Sequence, residues 1–190
     1  MFAVLLDTCV LWPSTQRDFL LSLAVEGLYR PLWSDAILEE LEYHEALKLV
    51  RRDMDPAEAE KRSQHLVRQM RANFDDALVE NWEPYEGTFN LPDVDDEHVL
   101  AAAVVGGAGA IVTVNVKDFP KDKVPRNIQI IKPAQFAADT VSTSPETAVR
   151  ALQQMSSCMR NPRLSVDDLL GILESRYGMT EAVEMMREAG

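Results

Sequence analysis

Cysteine is scarce in this chain. Cys9 and Cys158 are the two present in 190 residues, far apart and in no metal-ligand spacing. That argues against a disulfide framework and makes a reducing cytoplasm the expected home. Positive charge is also short: 19 Lys and Arg stand against 31 Asp and Glu, a formal net charge of −12. That argues against a protein that simply coats nucleic acid, because phosphate binding needs clustered Lys and Arg. It does not exclude a nuclease, which needs only a local basic rim around an acidic centre that divalent cations can mask. So acidic a chain also suits a basic partner. No apolar run approaches the roughly 20 residues of a membrane span. The opening segment MFAVLLD lacks a basic n-region, so no signal peptide is expected. The stretch GGAG (106–109) lacks the Gly-Lys-Ser/Thr ending of a phosphate loop and reads as a helix stop and turn.

What remains is an ordinary globular balance, 46% hydrophobic and 26% charged, in a length that suits one domain with an appendage. Residues 2–6 read as a buried strand. Residues 18–29 read as a helix, with Phe19, Leu20, Leu23 and Leu28 at helical spacing. Ser34 is a good N-cap for a helix reaching Val50, and Asp55-Pro56 opens a charge-rich helix to about Ala72. Residues 81–90 are turn-like. Leu91-Pro92-Asp93 leads into an apolar helix over 99–105, stopped by Gly106-Gly107. Buried strands follow at 110–114 and 128–131, then a helix from Pro133 to about Thr140. Residues 141–146 read as a linker and helix start. Two or three short helices come after it, with breaks at Arg160-Asn161-Pro162 and Gly178. Strands alternating with helices predict an α/β fold with a central parallel sheet, and functional groups then gather at the carboxyl ends of the strands. The expected division is a domain over 1–140 and a small helical extension over 141–190.

The acidic residues sit where that rule points. Asp7 directly follows Val4-Leu5-Leu6, where a carboxylate is costly unless something stabilises it; a cap or turn would do so, and so would a metal ion. Thr8 could bond that carboxylate in either case. In SDAILEELE (34–42) the apolar face is Ile37, Leu38 and Leu41. Glu39 points away, and periodicity cannot choose between Glu40 and Glu42. In LPDVDDEHVLAAAVV (91–105) Asp93 is explained as an N-cap, whereas Asp96 lies three and four residues before Val99 and Leu100 and shares their face. His98 has no metal-spaced partner and reads as a packing residue. In AIVTVNVKDFP (110–120) Thr113, Asn115 and Asp118 follow a strand, as an ordinary polar loop would. Together the four regions converge. Carboxylates crowded this way repel, and either protonate or bind cations. Mg²⁺ or Mn²⁺ favours such oxygen ligands, and a carboxylate cage holding one or two of them is a phosphodiester-cleaving device.

In these segments the chain resembles PIN domains, and specifically VapC-like toxin ribonucleases. LLDTCVL is similar to the opening strand, SDAILEEL to the helix with the second acid, and LPDVDDEHVLAAAV and IVTVNVKDFP to the third and fourth acidic segments, over about residues 1–138. The resemblance implies an α/β/α sandwich, Mg²⁺ or Mn²⁺ dependence, endoribonuclease activity, inhibition by a small antitoxin and a homodimer. It assigns Asp7, Glu40 (rather than Glu42) and Asp96 as site acids. The fourth position departs from the pattern: Asn115 stands where many relatives have Asp, and Asp118 is the candidate to compensate. The expected metal set is Asp7, Asp96, Asn115 and Asp118. Asp7, Glu40, Asp96 and Asp118 are expected to be catalytic, with Thr8, Asp93 and Thr113 supporting them. Arg51, Arg52, Lys117 and Lys121 are candidate RNA contacts. The competing expectations are a non-catalytic module, marked by Asn115, and a phosphatase built on Asp7. Cys9, where such phosphatases place a second acid, argues against the latter.

Overall fold

Val4, Leu5 and Leu6 are fully buried in strand β1 (Ala3–Leu6), the middle strand of a five-stranded parallel sheet. This is a computed structural model, and it describes residues 1–160 and 162–190. The spatial order is β3-β2-β1-β4-β5, with β2 at Arg30–Ser34, β3 at Leu78–Val79, β4 at Ala110–Val112 and β5 at Gln129–Ile131. Register sets Leu5 opposite Leu32 on one side and Ile111 on the other. A strand covered on both faces reads as a continuous apolar run, and each such side chain contributes about 1.5–3 kcal/mol by burial. Helix α1 (Thr8–Leu11) leaves β1 at once. Helices α2 (Ser14–Val25), α3 (Asp35–Val50), α4 (Pro56–Asn73) and α5 (Glu97–Val105) follow, and α5 packs on β1, β2 and β4. Among the described residues no helix is long and apolar enough to cross a membrane.

The expected α/β architecture with a parallel sheet is therefore present, but two strands escape sequence reading. Strand β2 contains Pro31, which cannot donate to a ladder. Arg30 donates its N–H to Phe2 on the β1 side, and Trp33 donates to Ala77 on the other. In this alternation Pro31 faces the side of β3. Strand β3 pairs only with Trp33 and Ser34 and has not begun there. The proline sits where the strand is locally an edge. The helix read over 18–29 begins earlier, at Ser14 directly after Pro13, and ends earlier, at Val25, because Gly27 at φ +76 turns the chain toward β2. Ser34 caps α3 through Ile37 N–H, and Asp55 caps α4 through Ala57 and Glu58 N–H, as expected.

After β5 come α6 (Pro133–Thr143), α7 (Pro145–Cys158), α8 (Val166–Tyr177) and α9 (Thr180–Ala189). The linker read over 141–146 is a correction: α6 continues through Thr143, and Ser144 alone separates it from Pro145 at the start of α7. The hydroxyls of Ser142 and Thr143 bond the carbonyls of Asp139 and Thr140, so these turn-forming residues are satisfied inside the helix. Helix α7 packs on α2, and α9 packs on α6 and α7. Gly178 ends α8 at φ +66, as read, whereas residue 161 of the other expected break lies outside the described residues.

Candidate metal centre and cleft

Asp7 occupies the N-cap position of α1, yet its side chain caps nothing. Its backbone carbonyl takes the Val10 and Leu11 N–H groups, and its own N–H bonds Val112. The carboxylate is 5% exposed and turned across the sheet. Oδ2 accepts from Thr113 Oγ1 at 2.6 Å and from Cys9 Sγ at 3.0 Å, while no described protein donor reaches Oδ1. Thr113 Oγ1 in turn accepts from Asn115 N–H at 3.0 Å, so the ends of β1 and β4 are tied through one carboxylate oxygen. Burial, and then the charge of Asp7, pushes the Cys9 thiol up to about 12, which keeps it a donor.

Asp96 repeats the pattern. It is the N-cap of α5 without a side-chain cap bond, whereas Asp93 caps the preceding turn through Asp95 N–H at 3.0 Å. Burial first, and then the charges of Asp7, Asp118 and Asp93, push the Asp96 carboxyl up to about 6. Two aspartates at helix starts, neither used for capping, thus face the same cleft. This cleft has a volume of about 610 Å³ and is lined also by Thr8, Glu40 and Asn115.

Glu40 is the helix-borne acid that the fold brings here. Thr8 Oγ1 donates to its Oε2 at 2.7 Å, and His98 Nε2 lies 3.3 Å from its Oε1. The His98 hydrogen bond, opposed by burial and aided by Thr8, holds the Glu40 carboxyl below its usual range. Burial pulls His98 down, but the hydrogen bond and charge of Glu40 outweigh it and leave the imidazole raised. Glu42 lies instead over a depression shared with Arg68 and Arg71 of α4. His98 is therefore more than the packing residue expected: it is buried behind the cleft and holds Glu40, which lines it. Its partner comes from another helix, a pairing no local spacing announces. Glu97 was missed too. It is 1% exposed and accepts Phe89 N–H at 3.1 Å and Leu91 N–H at 2.7 Å, clamping the loop before Asp93.

Other candidates fall elsewhere. Asp118 is half-buried on a single turn, Val116–Asp118, and acts on Asp96 by charge without lining the cleft. Arg51 lines the cleft, whereas Arg52 and Lys117 are exposed outside it and Lys121 borders a separate depression of about 500 Å³. Among the described residues no three or more His, Cys, Asp or Glu side chains are grouped so as to hold a metal ion, so the closed carboxylate cage is absent. The donors still suit one class of ion. Asp7 Oδ1, Asp96 and the Asn115 side chain are hard oxygen groups, and the repulsion on Asp96 is what a cation would relieve. Mg²⁺ keeps several waters and takes only one or two carboxylates.

That repulsion has a measurable sign. A carboxyl raised from 3.8 to about 6 stabilises the fold fully below 3.8, and the contribution is lost as pH rises through about 6. Asp96→Asn is expected to stabilise the metal-free protein by about 1 kcal/mol at pH 8, allowing for solvent screening of a half-exposed group. Melting curves in chelator should show the gain growing from pH 4 to 6 and level above; an equal gain at pH 4 would trace it to packing instead.

Residues 3–117 match the family model described as PIN domain, and residues 133–188 match the one described as VapC50 C-terminal domain. Over 79 residues the chain is 35% identical to "Putative ribonuclease VapC50" of Mycobacterium tuberculosis. This alignment takes in 41% of the chain and 47% of that relative, so the chain spans about half the length of the curated protein it matches. No solved structure matches it. With the strand order, the uncapped aspartates and a family model covering well over half its length, the chain belongs to the PIN domain family.

Proposed function

We propose that the protein is a metal-dependent endoribonuclease of the VapC-like kind, the toxin of a toxin–antitoxin pair, acting on RNA in the cytoplasm. The observation that carries this reading is the pair Asp7 and Asp96: two helix-start carboxylates that cap nothing, share one cleft and repel one another. The name printed for the mycobacterial relative points the same way. Residues 1–140 would form the nuclease unit and 141–190 its helical extension.

When bound, Mg²⁺ or Mn²⁺ supplies positive charge at the phosphodiester and acidifies an attacking water. Asp7 and Asp96 would hold it, with Asn115 adding an uncharged oxygen. Thr113 and Cys9 fix Asp7 through Oδ2, which leaves Oδ1 for the ion. Thr8 and His98 engage both oxygens of Glu40, so Glu40 orients the wall and keeps it negative. Lost supporting contacts around a metal typically cost about 10- to 100-fold. Glu40→Ala is therefore expected to lower Mn²⁺-dependent cleavage about that much, and Glu42→Ala less than about twofold. Parallel rate measurements on the two variants test it, and the reverse ranking would overturn the assignment.

A second reading, a PIN module that binds RNA or protein without cutting, draws on the missing charge at Asn115 and the absence of a closed ligand group among the described residues. Release of fragments from labelled RNA by the wild type with Mn²⁺, absent in Asp7→Asn, separates the readings. A basic antitoxin segment that pairs with the carboxylates is the inhibitor this cleft suits.

A further inference from the structure

We propose that Trp12 and Tyr43 form a stacking lip for unpaired RNA bases beside the phosphate to be cut. This rests on the nuclease reading above and adds how the substrate strand is held. Trp33 and Trp82 are buried, at 0% and 8% exposure, whereas Trp12 keeps 40% of its surface exposed and Tyr43 keeps 62%. Both line the cleft that holds Asp7 and Asp96. Trp12 stands at the end of α1, directly after the Asp7 turn, and Tyr43 lies on α3 near Glu40.

The indole is fixed in place. Its Nε1 donates to the His44 carbonyl at 3.3 Å, and Lys48 Nζ donates to the Trp12 carbonyl at 3.4 Å while standing 5.8 Å from the ring centroid. A preorganised aromatic face loses little freedom when a ligand stacks on it. Arg51 lines the same cleft and forms no ion pair among the described residues, whereas Lys48 is paired with Glu45, so one free guanidinium stands beside the rings. Exposed aromatic faces beside the guanidinium of Arg51 suit a phosphate-linked chain of bases better than an apolar peptide. In a duplex the base faces are already stacked, so the lip takes unpaired nucleotides, and it accepts any base because every base has a π face.

The test uses the full chain, Mn²⁺ and a single-stranded oligoribonucleotide that the wild type cuts, intact or with one abasic residue at each position around the cut. Trp12→Ala and Tyr43→Ala should each lower kcat/KM on intact RNA by about 10-fold or more. An abasic residue next to the cut should slow the wild type to the same extent and have little further effect on the alanine variant that already lacks its stacking partner. Trp12→Phe and Tyr43→Phe keep an aromatic face and should stay within about threefold of wild type. Melting curves identify a variant that fails to fold, and the other position then decides. If alanine variants cut intact and abasic RNA as the wild type does, the stacking lip is wrong while the nuclease reading stands. Unchanged RNA kinetics with weakened inhibition by the antitoxin would give the lip to a protein partner and equally overturn the proposal. If the wild type cuts no RNA with either metal, the nuclease reading itself fails and takes the lip with it.

Discussion

Asp7→Asn and Asp96→Asn should each slow RNA cleavage by about 10²- to 10³-fold, the usual cost of removing one group that stabilises charge in a transition state. Both substitutions keep the shape of the side chain, so the fold should survive. At Asp7 the two carboxylate oxygens have different surroundings. Thr113 and Cys9 donate to Oδ2, and an asparagine carbonyl placed there would keep both bonds. The amide NH₂ would then occupy the place of Oδ1, presenting a donor where a cation needs an acceptor. The loss should therefore appear in Mn²⁺ affinity by calorimetry as well as in rate, with a melting temperature at or above that of the wild type in chelator. Near wild-type turnover in either variant would remove that residue from the catalytic machinery.

The largest loss of stability is expected from Glu97→Ala, at roughly 2–4 kcal/mol. The substitution strands two backbone donors, Phe89 N–H and Leu91 N–H, in a place where the carboxylate that served both is 1% exposed. Glu97→Gln retains one acceptor oxygen and should lose about half as much. Urea unfolding at 25 °C measures both. A change below about 1 kcal/mol for Glu97→Ala would mean that water replaces the carboxylate and the loop is not clamped. Because this loop runs directly into Asp93 and Asp96, activity at temperatures well below unfolding should fall as well.

The legible parts of the fold are those written locally. The apolar run before Asp7 fixed β1, and Ser34 and Asp55-Pro56 marked the starts of α3 and α4, because caps and proline act within a turn of themselves. Strand β2 was not legible: its proline is tolerated only because the neighbouring strand β3 is two residues long and starts late, and no window around Pro31 contains that fact. The run 141–146 looked like a linker because Ser and Thr favour turns, and their bonds to helix carbonyls reverse that preference. The site divides in the same way. That Asp7 and Asp96 stand at the starts of helices was legible; that they line one cleft was not. Periodicity left Glu40 and Glu42 open and the resemblance favoured Glu40; the rotation of α3 against α1 that sets Glu40 against Thr8 and His98 is written in no local spacing. His98 and Glu97 serve groups outside their own helix, so spacing within that helix could not reveal them.

The most direct test of a carboxylate-held metal that cleaves RNA is to read the ends of the products. Labelled RNA is incubated with the wild type and with Asp96→Asn, in Mg²⁺ or Mn²⁺ and in EDTA, and the termini are mapped. Attack by water on phosphorus with departure of the 3′ oxygen leaves a 5′-phosphate and a 3′-hydroxyl, and these ends should appear only with the wild type and only with metal. Undiminished cleavage in EDTA, leaving 2′,3′-cyclic phosphates, would show that the ribose hydroxyl is the nucleophile and would contradict the account.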